Sequence, residues 1–519
     1  MSGRSGYLIL FFVIAGVAFC VWYSFGIFAS DPVTIEEYTQ VSAPARIKPD
    51  YSGIVVPPNI GPLNFAIHEP GTGYYVKVYS TEGTPLEVYS RTGKIKFPRR
   101  KWQRLLSVNR GKELYIDIYV RSTRNGWVRH ESIVNTIAEE PIDAYVAYRI
   151  INPLYNFTND TAIYQYDLEN NKESLIIKGK GFYSSCVNCH SFWNYDPETM
   201  LLGFRNNVYG RSTLFASNGK LQKLGIKFGH TSWHPSGKVV AYSLYRVKQF
   251  FHHARLEVRD VVELDSALAY YLVDKQIAKT MPELADKERL ETQPVWSADG
   301  KYLYFVSAPV LWKDRKKLPP ENFEKVQYDL MRISYDVETD TWGQLETFLS
   351  AKQTGKSILI PRISPDGRFL LVSMCDYSCF ALFQPSSDLY LIDTETGNYS
   401  DLEEVNSNHS EAWHAFSSNS RWIVFSSKRP EGVFTRLYFS YIDKTGKSSK
   451  AFIMPQSDAS FYESSYRVYN VPEFISGPVK ISRKEFGRVI RSKDEIKIEI
   501  PFTTATPQAP GEALQPERE

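Results

Sequence analysis

Two thiols and an imidazole stand together in Cys186-Val187-Asn188-Cys189-His190. Thiols at this spacing can add across the two vinyl groups of one porphyrin. His190, directly after the second thiol, can then reach the iron from one face. The C-x-x-C-H run is the attachment pattern of a c-type haem. A neutral imidazole nitrogen is a good iron ligand, and the axial ligands tune the potential. The same residues could instead form a thioredoxin-like dithiol, half of a zinc site or a disulfide. A second pair, Cys375 and Cys379, is spaced C-x-x-x-C. In an oxidising compartment a local disulfide is the expected state of that pair. Without haem, these two and Cys186 with Cys189 could make a four-cysteine zinc site.

Haem of this type is attached on the oxidising side of a membrane, so the chain needs an export signal. Residues Tyr7 to Phe28 are almost uninterruptedly apolar, and about 20 such residues span a bilayer. Arg4 precedes the run, and Asp31, Glu36 and Glu37 follow it. By the positive-inside rule the N-terminus stays in the cytoplasm and the rest is exported. The run is long for a cleaved signal, and Phe28-Ala29-Ser30 is a poor cleavage site. An uncleaved anchor over residues 1–30 follows, in a bacterial inner membrane crossed once, with the globular part in the periplasm. Cys20 lies inside the run behind the bulky Phe19 and reads as a membrane-facing thiol.

The chain has 519 residues and a net charge of +3. Neither a strong charge nor a basic stripe points to nucleic acid. Hydrophobic residues make up 43% and aromatics 14%, with 34 tyrosines, which favours β-structure. Five cysteines are too few for a disulfide scaffold.

Residues 31–60 carry Ser42-Ala43-Pro44-Ala45 and Pro57-Pro58 without a helical period, and read as a tether. Residues 61–140 alternate in short runs, such as Tyr74-Tyr75-Val76-Lys77-Val78-Tyr79 and Leu114-Tyr115-Ile116-Asp117-Ile118-Tyr119-Val120, and read as a β-sandwich. His68 and His130 fall there as packing or surface histidines. The basic stretch Lys94 to Arg104 reads as a solvated face.

From about residue 141 to 485 a repeat takes over. Its turns are Ser232-Trp233-His234-Pro235-Ser236-Gly237, Val295-Trp296-Ser297-Ala298-Asp299-Gly300, Arg362-Ile363-Ser364-Pro365-Asp366-Gly367 and Ala415-Phe416-Ser417-Ser418-Asn419-Ser420. Each joins a short strand to a longer apolar one, and another alternating hairpin follows, as in Asp388-Leu389-Tyr390-Leu391-Ile392-Asp393. Four strands per repeated unit make a propeller blade. These segments resemble the WD-like repeats of TolB-type propellers. The resemblance implies six blades, the fifth supplied by the haem segment and the sixth shared between Ala162–Leu168 and a strand near Tyr466–Tyr469. The expected fold is all-β: anchor, sandwich, then a six-bladed propeller with an inserted haem-binding loop. Residues 486–519 read as a charged, Pro-rich tail, its last part disordered.

The repeat sets a register. His190 takes the place of Pro294, Pro361 and His414, at the start of the innermost strand and one rim of the channel. Candidates for a second iron ligand follow from it. His414 is the equivalent residue two blades away, and His230 and His409 enter their blades on the same face. His252 and His253 lie on an insertion that could fold over. Met374 ends a second strand on that face, whereas Met200 begins one at the far rim and reads as core. His234 aligns with Ser297 and reads as structural.

No catalytic constellation is present: there is no G-x-S-x-G, Walker loop or H-E-x-x-H. The expected function is a membrane-anchored, exported mono-haem c-type cytochrome. It would carry electrons beside redox partner proteins or within a larger membrane complex. A different class is an envelope protein–protein interaction scaffold of the TolB-like kind, with a structural haem. Others are a zinc-clipped propeller scaffold and a peroxidase with an open sixth position.

Overall fold

The repeated turns share one construction. In the computed structural model, Ser297 donates its hydroxyl to Asp299 at 2.7 Å, Ser364 to Asp366 at 2.6 Å and Ser417 to Asn419 at 2.7 Å. His234 does the same work with its ring, Nδ1 lying 2.7 Å from the Ser236 hydroxyl. Its Nε2 bonds the Gly300 carbonyl of the next turn at 3.0 Å. The residue that reverses the chain has positive φ in every case: Gly237, Gly300, Gly367 and, without a glycine, Ser420 at 63°. These side-chain bonds make the turns local and repeatable. The described residues are 35–123, 126–151, 161–255, 257–429 and 431–498.

Six four-stranded antiparallel sheets follow one another. Their innermost strands are Cys186–Phe192, Gly229–Trp233, Arg289–Trp296, Ser357–Ile363, Glu411–Phe416 and Val468–Ile475. Each packs against the next in that order, and the last returns to the first. The architecture is therefore a β-propeller, with six sheets as blades around a central channel. The second and third sheets are additionally joined by one parallel bridge, Ser266 to Leu290. The sixth sheet closes the ring: Val468–Ile475, near the C-terminus, pairs with Tyr145–Ile151, which leads into Ala162–Asp167 and Lys172–Lys178.

Every inner strand carries a bulge at the same place. The residues with left-handed backbone there are Cys189, His230, Gln293, Ile360, Trp413 and Val471, with φ between 37° and 55°. Pairing slips beside each of them. A bulge re-aims the side chains around it, so six bulges in register form a ring partway along the channel.

Ahead of the propeller lies a seven-stranded sheet with a smaller three-stranded sheet. One expectation changes here. Residues 35–60 are no free tether: Tyr51, Ile54, Val56 and Ile60 are buried, and Tyr38–Pro44 pairs with Trp127–Glu131. The prolines break helix but leave enough apolar residues to join a core. The basic stretch is a solvated face, with Lys94, Lys96, Arg99, Arg100, Lys101 and Arg104 all exposed, and its second half is a helix, Arg99–Val108, burying Trp102, Leu105 and Leu106 at helical spacing. One apolar core continues from this domain into the propeller's fourth, fifth and sixth sheets.

The tail is also shorter than expected. A helix over Arg483–Arg491, capped by the Ser482 hydroxyl, buries Phe486, Val489 and Ile490 against the first and sixth sheets. Ile496 bridges to Leu224. The expected anchor over residues 1–30 lies outside the described residues. Among the described residues no helix is long and apolar enough to cross a membrane.

Candidate functional site

The C-x-x-C-H run is not the inserted loop expected: it forms the inner strand of the first blade, Cys186–Phe192, which places His190 within the strand rather than at its start. In a regular strand, residues three apart point to opposite faces. The bulge at Cys189 breaks that alternation. Asn188 supports it by accepting the Cys189 N–H at 2.7 Å on Oδ1, and the same oxygen accepts from Arg149 Nη1. Asn470 supports the Val471 bulge in the same way, at 2.8 Å. As a result both thiols stand near Arg149 and near Tyr245 of the second blade. Lys227 Nζ lies 3.9 Å from Cys189 Sγ. Both thiols are free and half-buried.

Two glycines make the close approaches possible. Gly203 lies opposite Asn188 on the neighbouring strand. A Cβ there would meet Lys227 Cε at 3.2 Å and Cys189 Cβ at 3.5 Å. Gly229 precedes the His230 bulge, and a Cβ on it would lie 2.2 Å from Tyr245 Cε1. The absence of a side chain at Gly229 is what lets the Tyr245 ring reach the thiols.

His190 is 5% exposed, and neither ring nitrogen has a hydrogen-bond partner. The Val471 backbone lies nearby without the geometry of a bond. Burial, then the charges of Arg149 and Arg362, push its pKa down to about 3. The imidazole is therefore neutral, with a lone pair available. A buried polar group without a partner is costly, and such cost is tolerated where the group has another task.

The remaining candidates separate in space. His230 joins the thiol cluster. Its ring lies 5.0 Å from Tyr245 and 5.7 Å from Trp413, nearly parallel to the latter. Trp413 in turn meets Phe380 at 5.4 Å, so aromatic rings continue across the channel mouth. His414 is buried beside its own bulge, and its Nε2 bonds the Leu371 carbonyl at 2.9 Å. Met374 is wholly buried in the core that also holds Cys375 and Cys379, and Met200 lies in the core beneath the motif strand. His252 pairs with Asp260 at 3.3 Å. His409 is half-buried beside Gly432.

Cys375 and Cys379 are unbonded to each other. Cys375 donates to the Tyr377 carbonyl at 3.0 Å, and Cys379 to the Val261 carbonyl at 3.5 Å. They belong to the fourth blade's insertion, away from Cys186 and Cys189. Among the described residues no three His, Cys, Asp or Glu side chains gather as a metal site, so the four cysteines are not assembled for zinc.

The donor set fits the group its motif implies: two free, half-buried thiols face one environment, and the adjoining imidazole has no partner. Arg149, Lys227, Tyr245 and Trp413 complete the surroundings. No spacing in the sequence marks them, since they come from the sixth, second and fifth blades and from the connection between the first and second. The only signal was the repeat itself, which places the bulge residues at one level of the channel.

No protein-family model matches the chain, and no curated protein matches it in sequence. Among solved structures it is similar to prolyl oligopeptidase B from Galerina marginata, with 11% identity and a TM-score of 0.33. That match covers 65% of this chain and 42% of the other, so the chain spans less than half of that protein's length. It is also similar to an oligogalacturonate lyase from Vibrio parahaemolyticus, with 12% identity, a TM-score of 0.29, and coverage of 78% and 100%. Kuenenia stuttgartiensis hydrazine synthase matches with 12% identity, a TM-score of 0.27, and coverage of 49% and 63%. At these values the likenesses carry no argument about activity.

Proposed function

We propose that the protein is a membrane-anchored, exported mono-haem c-type cytochrome that passes electrons between partner proteins. The supporting observation is the pairing of two free thiols, turned to one environment by the Cys189 bulge, with a buried His190 that lacks any hydrogen bond. When bound, a haem supplies a one-electron couple. Cys186 and Cys189 would each add across one vinyl group, sulfur to one carbon and the thiol hydrogen to the other, so attachment needs no oxidant. His190 is neutral because burial and two arginines oppose its protonation, and it would ligate the iron. His230 is the second-ligand candidate supported by proximity, because it packs against the Tyr245 ring that lies beside Cys189. One haem stores one electron, so a donor and an acceptor protein are required beside it. Residues 1–30 would hold this assembly at a bacterial inner membrane, with the propeller in the periplasm.

The test is an oxidised and a reduced optical spectrum of the membrane-expressed protein, with haem staining after denaturing electrophoresis. A pigment that stays with the denatured chain and disappears in C186S/C189S is the expected result. A colourless wild-type chain would overturn the proposal.

A further inference from the structure

Among the described residues, cations crowd the two thiols without acids to match them. Cys186 is the cross-strand neighbour of Arg205, and Arg205 of Arg211. The thiol and both guanidinium side chains therefore share one face of the blade. Lys227 approaches Cys189 from the next strand connection. Arg149 is 9% exposed beside both thiols, and its Nε has no partner. Among the described residues none of these four cations has an ion pair.

Like charges directly opposite on neighbouring strands destabilise a sheet. A buried guanidinium wants a hydrogen-bonded anion. Burial and the charge of Arg205 both depress the pKa of Arg211, as expected of a cation held against another with no counter-ion. Arginine matches a carboxylate with two parallel N–H bonds, and the cluster offers three arginines and a lysine.

We propose that Arg149, Arg205, Arg211 and Lys227 form a carboxylate site beside the thiols, and that it takes the two propionate groups of the haem attached there. The propionate half rests on the haem reading above; the carboxylate site does not. Free dicarboxylates share the chemistry, so the two sources need separate arms.

Succinate is titrated calorimetrically into the full-length holoprotein, into C186S/C189S, and into C186S/C189S carrying R205Q/R211Q or R205K/R211K. The haem-free chain is expected to bind succinate, weakening as salt rises. The Gln pair should lose at least tenfold and the Lys pair, which keeps both charges, far less. The holoprotein should not bind it, because propionates already fill the site. In the holoprotein, R205Q/R211Q should also lower the reduction equilibrium constant at least tenfold, about 59 mV for a one-electron couple.

Equal affinity with and without the two arginines, or equal losses in the Gln and Lys pairs, overturns the carboxylate site. Succinate binding to haem-loaded chain as tightly as to C186S/C189S overturns the propionate assignment. A wild-type chain without haem fails the functional reading alone, and the succinate arms still decide the site.

Discussion

Cys189 and His230 hold the same position in successive blades: each is the left-handed residue of its inner strand's bulge. Between them stands Tyr245, its ring 5.0 Å from His230 and its hydroxyl beside the Cys189 thiol. The bulge that frees a thiol in one blade thus delivers an imidazole to it from the next.

That arrangement depends on Gly229. A methyl group there would lie 2.2 Å from the Tyr245 ring, so G229A must move the ring or the strand. The expected loss is about 1–3 kcal/mol, the usual cost of overpacking. In a Y245A background the same substitution should cost far less. Denaturant unfolding of the four chains of this double-mutant cycle checks it; equal losses in both backgrounds would contradict the contact.

His230 and His414 should behave oppositely when each is replaced by alanine. H414A leaves the Leu371 carbonyl without its bond, for a loss of about 1–3 kcal/mol, while the ferric haem spectrum stays unchanged. H230A should change that spectrum at little cost in stability. A spectral change in H414A instead would move the second ligand to that blade.

Loss of His190 separates attachment from ligation. H190A keeps both thiols, so the stained band after denaturing electrophoresis should remain. The absorption of an imidazole-bound iron should vanish. A chain with no stained band would mean that His190 is needed for attachment as well.

Glu263 is a pH-dependent weakness in the fold. It is 2% exposed and accepts from the Tyr328 hydroxyl at 3.0 Å. Burial pushes its carboxyl up to about 7, against the hydrogen bond from Tyr328 and the nearby hydroxyls of Ser266 and Thr292. Between its ordinary value and about 7 the folded chain holds a proton that the unfolded chain has released. Stability must then fall as pH rises through that window, and level off above it. The full effect is about 3 kcal/mol. E263Q, which mimics the neutral acid, should outlast wild type by a margin that grows from pH 4.5 to 7. Urea unfolding across this range reads the difference, and a margin independent of pH would refute it.

Ring closure rests on Val468–Ile475, the only strand linking the end of the described chain to Tyr145–Ile151. Ending the chain after Arg467 exposes a long unpaired edge. The truncated protein should lose cooperative unfolding in calorimetry, and retention of a single sharp transition would show that closure is dispensable.

The sequence was most informative where interactions are local. A Ser-x-Asp-Gly turn is built within a few residues, so its recurrence marks the blades without knowledge of their neighbours, and even His234 was readable as a turn residue from its alignment with Ser297. The spacing of Cys186, Cys189 and His190 is likewise a local property, sufficient to suggest a chemistry. Residues 35–60 were harder, because prolines mark extended chain whether or not it is buried. Whether Tyr51 and Val56 meet a core depends on strands far along the chain.

By itself, then, the sequence determined the repeat, its all-β character and the reactive triplet, since each is set by neighbours along the backbone. Only the tertiary structure decided what surrounds the triplet. Arg149, Lys227, Tyr245, His230 and Trp413 come together because neighbouring blades meet around one channel. Contacts between blades depend on how the ring closes, and no short stretch of chain encodes that.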